Sequence, residues 1–440
     1  MEQIFSNTAD FLFERLNEGE ELVLNWFGEK SLFVRFNKSK VRQVSDILQM
    51  ELSITLKFSG TQTSLQIPVS GEKERDEKVL SESLETLRTR VQSLEKLPFF
   101  IPAVNNGTSR SVYEGTLPGC SEYIDIICKE AADADLAGLL ISGLCCRGNA
   151  NSLGQKHWYE STSFCFDYSL YTEKEKAVKS AYSGTAFKKE DFLASLNDAK
   201  NNLKYMAIDN KVLKPGKYKC YLAPAAVAEV LGTFSWGGPS QSKLQRGSSP
   251  LLPFKNDGKS FSKIFNLKED FTLGLHPRFN DEGEVAGESL DIFREGQIAN
   301  LLTSTATAKE FKLESNFSNG NEGLRSPLIE SGSLAKEDIL KELGTGLYIS
   351  NLHYLNWSDF NKGRITGMTR FACFYVENGR IVAPIKDLRF DETLYNMWGD
   401  NLLAITDFAE TSVNTDTYFK RGLGGNSCPG LLIKDFNFTL

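Results

Sequence analysis

The chain has 440 residues, 41% apolar and 24% charged, and 50 Lys and Arg against 57 Asp and Glu leave a net charge of −7. That length exceeds one typical core, so two domains are the default expectation, and the balance excludes wholesale disorder. The acidic excess favours solubility and offers nucleic acid no basic patch.

The first residues, MEQIFSNTADFLFERLNEGEELVL, carry acids early and lack a basic segment or small-residue cleavage site, so no signal peptide is expected. No run approaches the roughly 20 apolar residues of a membrane helix. The best one, Leu136 to Cys146, is interrupted by Gly138 and Gly143. A cytoplasmic protein off the membrane is the simplest expectation.

In chain order, residues 4–17 have the spacing of an amphipathic helix. Strands are expected at Glu21–Trp26, Ser31–Phe36, Val41–Ser45 and Met50–Ser59. In the last, Leu52, Ile54, Leu56 and Phe58 share one face, Glu51, Ser53, Thr55 and Lys57 the other, and Gly60 closes it. Helices follow at 72–95 and 120–134, with one or two more over 173–204. The polar, Pro-Gly segment Asp209–Gly216 marks a boundary, giving an N-terminal α+β domain (1–208) and a β-rich C-terminal domain (209–440).

A strand at Lys217–Ala223 opens the second half, and helical stretches recur only near 225–234, 335–342 and 393–401. Glu295-Gly296 and Glu377-Asn378-Gly379 are hairpin turns between apolar runs. The expectation is an α+β fold whose second domain is mostly antiparallel, a curled sheet or pseudo-barrel that hides its edges. Residues 237–262, rich in Gly, Ser, Pro and Lys, are expected to form a long surface loop.

The chemistry-bearing residues are sparse. His157, His276 and His353 stand far apart, so no helix carries two imidazoles one turn apart as a zinc site needs. His157 is expected in a surface pair with Glu160, His276 packed at a turn, and His353 structural among aromatics. The eight cysteines form no CxxC pair, and Cys145-Cys146 read as buried small hydrophobes beside a strand. Cys373 in FACFYV reads as a sheet residue. Cys428 in the glycine-rich GGNSCPG turn could be an exposed reactive thiol, though no histidine is near it in sequence. No serine-nucleophile elbow, phosphate loop or dinucleotide fingerprint is present, and the run Arg421–Ser427 reads as a flexible turn.

Motifs along the second half resemble the TldD/PmbA family. Asn280-Asp281-Glu282-Gly283 is similar to its DDEG turn, and Leu290–Phe311 to the strand–turn–strand that follows. Ser318-Asn319-Gly320-Asn321 with Arg325-Ser326-Pro327 takes the place of its STGNARR stretch. Gly346–Ile349, Thr366-Gly367, Tyr375–Ile381 with Pro384–Asp387, and Cys428–Ile433 continue the match, which in the first half thins to Arg35, Gln43 and Asn151–Gly154.

In the family's zinc branch, TldD, a helix after a Pro-containing turn carries HExxxH, whose glutamate would activate water. With Pro224 in register, those positions here are Gly232, Thr233 and Gly237, which offer no imidazole or carboxylate. Cys428 matches the position before the last strand rather than the ligand cysteine. The resemblance therefore implies a PmbA/TldE-like member with no metal, no catalytic residue of its own and no other cofactor. It would pair with a TldD-like zinc protease subunit to degrade or process unstructured peptides. Thr366, Gly367, Met368, Thr369 and Arg370, with the 237–262 loop, are candidate walls of a peptide groove. The alternatives are a stand-alone homodimeric peptide-binding protein and a hydrolase with a non-metal site.

Overall fold

The computed structural model of the chain describes residues 1–439. Its first layer is built from α1 (Glu2–Phe13), β1 (Glu20–Asn37), β2 (Lys40–Phe58), β3 (Thr61–Pro68), α2 (Lys73–Val91), β4 (Thr108–Tyr113), α3 (Cys120–Glu130), β5 (Asp135–Asn151), β6 (Lys156–Tyr171), β7 (Ala177–Gly184) and α4 (Lys189–Met206). The strands form one sheet in the order β3-β2-β1-β5-β6, with β4 and β7 sharing the far edge of β6. Leu22, Leu24, Leu52, Ile54 and Leu56 face α1 and α2 in one core, while Leu136, Leu140, Phe164 and Phe166 face α3 and α4 in another.

Three local expectations change. The four short strands are two long ones, because β1 is hydrogen-bonded to both β2 and β5 through Gly28, where the sequence pattern breaks. A Cβ on Gly28 would lie 2.7 Å from the Met1 sulfur and 2.8 Å from that of Cys146, so the glycine admits the start of α1 rather than ending the strand. Residues 173–204 divide into strand β7 and helix α4, since pairing with β6 overrides the charged, helix-like composition of the first part. Lys57, expected on the polar face, is only 1% exposed.

The second layer holds β8 (Gly216–Leu222), α5 (Pro224–Phe234), α6 (Gln241–Gln245), α7 (Leu252–Asn256), β9 (Leu267–Asp270), β10 (Ser289–Arg294), β11 (Gln297–Ile298), α8 (Thr305–Phe311), β12 (Pro327–Ile329), α9 (Ile339–Leu343), β13 (Gly346–Ile349), β14 (Asn351–Asp359), β15 (Arg364–Arg370), β16 (Phe374–Glu377), β17 (Arg380–Pro384), β18 (Arg389–Thr393), β19 (Leu402–Val413) and β20 (Gly425–Phe438). The sheet runs β11-β10-β9-β12-β20-β8-β13-β16-β17, with β18 and β19 on β20, and β15 and β14 beyond β18. It branches and curls without closing into a barrel. Most of its pairs are antiparallel; β8 with β13 and β12 with β20 are parallel. Both expected hairpins form, with φ of 47° and 70° at Glu295-Gly296 and 51° and 73° at Asn378-Gly379. The segment 237–262 is not a plain surface loop: it contains α6 and α7 and buries Ser249, Leu251 and Phe261. The stretch near 393–401 is a π-type turn at Tyr395–Asp400.

The layers meet along a polar seam. The Asn280–Gly283 turn inserts into the first sheet, where the Asp281 carbonyl accepts from Asn25 and Asn149 at 2.9 Å each. Lys57 donates to Glu282 Oε2 at 2.6 Å and to the Ile101 carbonyl at 2.9 Å. A Cβ on Gly283 (φ 77°) would overlap Gln155 Nε2 at 1.7 Å, so this turn requires glycine. From the opposite end of the chain Arg421 enters the same sheet, donating to Ser163 Oγ (2.7 Å), the Ser163 carbonyl (3.2 Å) and the Gly143 carbonyl (3.1 Å). The expected flexible run is thus anchored by a buried guanidinium and continues as β20. Among the described residues no helix is long and apolar enough to cross a membrane.

Candidate functional site

The segment expected to correspond to the family's metal helix folds as the β8–α5 unit. β8 lies between β20 and β13 in the second sheet. Pro224 occupies the first turn of α5, where a missing N–H costs nothing and the fixed φ suits a helix. Ala226, Val227, Val230, Leu231 and Phe234 pack one face of α5 into the large second core. The open face carries Ala225, Glu229, Gly232 and Trp236, the last 61% exposed.

Gly232 sits on that face, and a Cβ there would meet nothing within 4 Å. Thr233 points inward, and its hydroxyl donates to the Glu229 carbonyl at 3.1 Å. Gly237 has φ of 94°, and a Cβ there would lie 3.4 Å from Phe360 Cζ. Zinc takes nitrogen, sulfur or carboxylate donors at about 2 Å. Two glycines and an inward threonine supply none, so these residues do not fit the ion. Among the described residues, no three His, Cys, Asp or Glu side chains gather as a metal site.

Crowding by surrounding protein raises the carboxyl pKa of Glu229, and the Lys179 cation of β7 opposes that shift. On β14, burial lowers the pKa of His353, and Arg370 and Lys179 push it the same way. His353 packs edge-on to Tyr354, 4.9 Å between ring centroids, as expected of a structural histidine among aromatics.

The candidate groove residues lie on β15, which pairs with β14 on one side and β18 on the other. Its backbone has no free edge for an added strand. Gly367 is fixed by packing, since a Cβ would lie 2.8 Å from Phe390 Cε1. Thr366 and Thr369 are committed to local hydrogen bonds with Phe390 and Leu388. Met368 is half-buried and Arg370 exposed. The unpaired edge belongs to β14, which carries a bulge between His353 and Asn356 where Tyr354 takes φ of 57° and stands 81% exposed. Sequence reasoning missed this edge; the aromatic spacing of Tyr354, Trp357 and Phe360 was the available signal.

Two further expectations fail. His157 makes no surface pair with Glu160; it is 1% exposed, bonded through Nδ1 to Ser109 Oγ at 2.8 Å and stacked on Phe279. Cys428 is not an exposed thiol: it is 1% exposed within β20, and burial raises its pKa far above the ordinary thiol range. A buried thiol held protonated is a poor nucleophile, which removes the basis for a Cys428 hydrolase. Cys145 and Cys146 are buried in β5, as expected, and burial raises both pKa values.

The sequence profile of the PmbA/TldA metallopeptidase C-terminal domain matches residues 215–440, just over half of the chain. The chain belongs to the PmbA/TldD family. It is 31% identical over 219 residues to Metalloprotease PmbA of Escherichia coli O157:H7, a match covering 46% of this chain and 45% of that protein. It is 29% identical over 134 residues to the Metalloprotease PmbA homolog of Buchnera aphidicola, covering 30% and 28%. The matched stretch thus spans less than half the length of either curated relative. Two solved structures share the PmbA/TldD fold over nearly the whole chain. A candidate modulator of a DNA gyrase from Thermotoga maritima superposes with a TM-score of 0.78 at 15% identity, covering 99% of this chain and 100% of that one. TldE from Thermococcus kodakarensis gives 0.76 at 13%, with the same coverage. At such identities the likeness is one of fold.

Proposed function

We propose that the chain is a non-catalytic, TldE/PmbA-like subunit of a two-chain peptidase. It pairs with a TldD-type zinc subunit, in the cytoplasm, to degrade or process unstructured peptides. The carrying observation is the donor set of α5, with open space at Gly232, a core-facing Thr233 and a left-handed Gly237 at the metal-motif positions. The helix itself packs firmly into the second core, as suits a wall rather than a reaction centre. The division at 208/209 belongs to this reading: α4 packs in the first layer and ends at Met206, and β8 begins at Gly216, leaving 207–215 as the join. The free edge of β14 is the place for an extended peptide to add backbone hydrogen bonds.

The test is metal analysis and digestion of a disordered peptide by the purified chain, alone and with a co-expressed TldD-type protein. Cleavage in the mixture alone, abolished by chelator, is expected. Stoichiometric zinc together with cleavage by the isolated chain would sink the proposal. Stable self-association, with peptide bound and nothing cut in either sample, would favour the homodimeric reading instead.

A further inference from the structure

Away from α5 and β14, the first layer has an open edge of its own. β3 covers β2 only from Glu51 to Phe58. Just past β3, the Val69 N–H donates to the Met50 carbonyl at 2.9 Å. Among the described residues no strand pairs with Lys40–Gln49 on that side. Backbone groups alternate sides along a strand, so Leu48, Asp46 and Val44 turn their N–H and C=O groups the same way as Met50, outward. The stretch is bare on its faces as well. Val41, Arg42, Gln43, Val44, Asp46 and Leu48 are exposed, Leu48 at 65%. A long exposed edge with apolar side chains invites another strand unless charge or a covering segment blocks it.

The charges on this edge do not block a copy of itself. Arg42 stands two residues before Val44, and Asp46 two residues after it. Arg42 also has no partner in β1, because the register shifts between Arg35 and Phe36. An antiparallel pairing about a twofold axis at Val44 sets Val44 opposite Val44. It then sets Arg42 opposite Asp46, Val41 opposite Ile47 and Gln43 opposite Ser45, each match occurring twice. Lys40, the first residue of β2, meets Leu48, so the pairing fills the open stretch up to the point where Val69 and β3 take over. An axis at Ser45 would instead put Arg42 against Leu48 and Asp46 against Val44. One at Gln43 would put Ile47 and Leu48 against the Lys38-Ser39 turn. Of the three, the Val44 register alone matches both charge and length.

We infer that the β2 edge pairs with the same edge of a second copy of this chain, making a homodimer with one sheet running through both first layers. Tyr418 and Phe419 stand by each end of the pairing. Their rings pack edge-on at 4.8 Å between centroids, Phe419 is 87% exposed, and Gln49 Nε2 donates to the Phe419 carbonyl at 3.1 Å. The edge belongs to the other sheet from α5 and β14. Pairing there does not depend on the peptidase reading, and a dimer of this kind leaves that reading standing.

The test is sedimentation equilibrium of the full chain over about 1–100 μM, the range of a modest interface. A reversible monomer–dimer equilibrium is expected. Asp46→Arg and Arg42→Asp each set like charges opposite one another twice, and each should weaken association at least about tenfold. Arg42→Asp with Asp46→Arg together restores opposite charges and should recover the dimer. Val44→Lys, which puts two ammonium groups at the axis, should give monomer and serves should a reversal fail to fold. All three positions are exposed, so circular dichroism and melting temperature should be unchanged. A chain that stays monomeric at the highest concentration, a dimer indifferent to the reversals, or a double variant no better than the single ones would overturn the pairing. So would a monomer that gains mass only with a co-expressed TldD-type protein or a disordered peptide and loses it in the single variants, since the edge would then belong to that partner.

Discussion

Two buried polar clusters in this molecule are built from the same residue types and end differently. In the seam between the layers, Lys57 bonds Glu282 and Ile101, and Arg421 bonds Ser163 and Gly143. In the second layer, Glu269 Oε1 accepts the backbone N–H groups of Arg325 and Ser326, and its other oxygen stands 3.9 Å from Arg325 Nε. The seam groups bond partners in the other layer, whereas Glu269 and Arg325 bond within their own layer. The contrast shows that a buried charge ties the two layers together only where its partners come from both.

The largest expected effect breaks the seam. Arg421→Ala leaves the buried acceptors at Gly143 and Ser163 without their guanidinium partner, while the backbone bond to Glu29 remains. It should cost about 3–5 kcal/mol of unfolding free energy, read by urea denaturation. Gly283→Ala comes next at about 2–3 kcal/mol, because a methyl meets Gln155 and Asn149 and the backbone is left-handed; Gly283→Ala with Gln155→Ala should recover only part of the steric cost, since Asn149 Oδ1 stays 2.5 Å away.

The Glu269–Arg325 pair follows. Arg325→Met alone strands the Glu269 charge, while adding Glu269→Met removes both charges at once. The double variant should be more stable than the single one by about 2 kcal/mol, read by urea denaturation.

A separate effect is in pH. His276, bonded to the Pro277 carbonyl and close to Arg325, has its pKa lowered from 6.5 to about 3, by burial first and the Arg325 charge second. Between those values the unfolded chain binds the extra proton. Stability should therefore fall as pH drops from about 6.5 toward 3, by up to about 1.4 kcal/mol per pH unit from this group. His276→Asn should flatten that slope; an unchanged slope would remove His276 as its source.

Much of the fold was readable because it rests on local rules. The alternation through Leu52, Ile54 and Leu56, the helical spacing of α1, α2 and α3, and the Glu295-Gly296 and Asn378-Gly379 turns each follow from a few neighbouring residues. The start of α5 was readable too, since Pro224 marks a helix start whatever surrounds it. The continuity of β1 through Gly28 and the strand at 177–184 were not: the first depends on a partner strand over a hundred residues away, and the second on pairing with β6 that its own charged composition does not announce.

By itself the sequence determined the family and the turn at Asn280–Gly283, and with them the absence of imidazole and carboxylate at 232, 233 and 237. It determined these because a residue's identity sets which atoms it can offer. Only the tertiary structure decided where those atoms are spent: Lys57 and Arg421 in the seam, Cys428 buried in β20, Thr366–Arg370 inside a sheet, and Glu269 with Arg325 paired within the second layer. Those outcomes hinge on distances between segments far apart along the chain, and on how much water each group loses when the layers close.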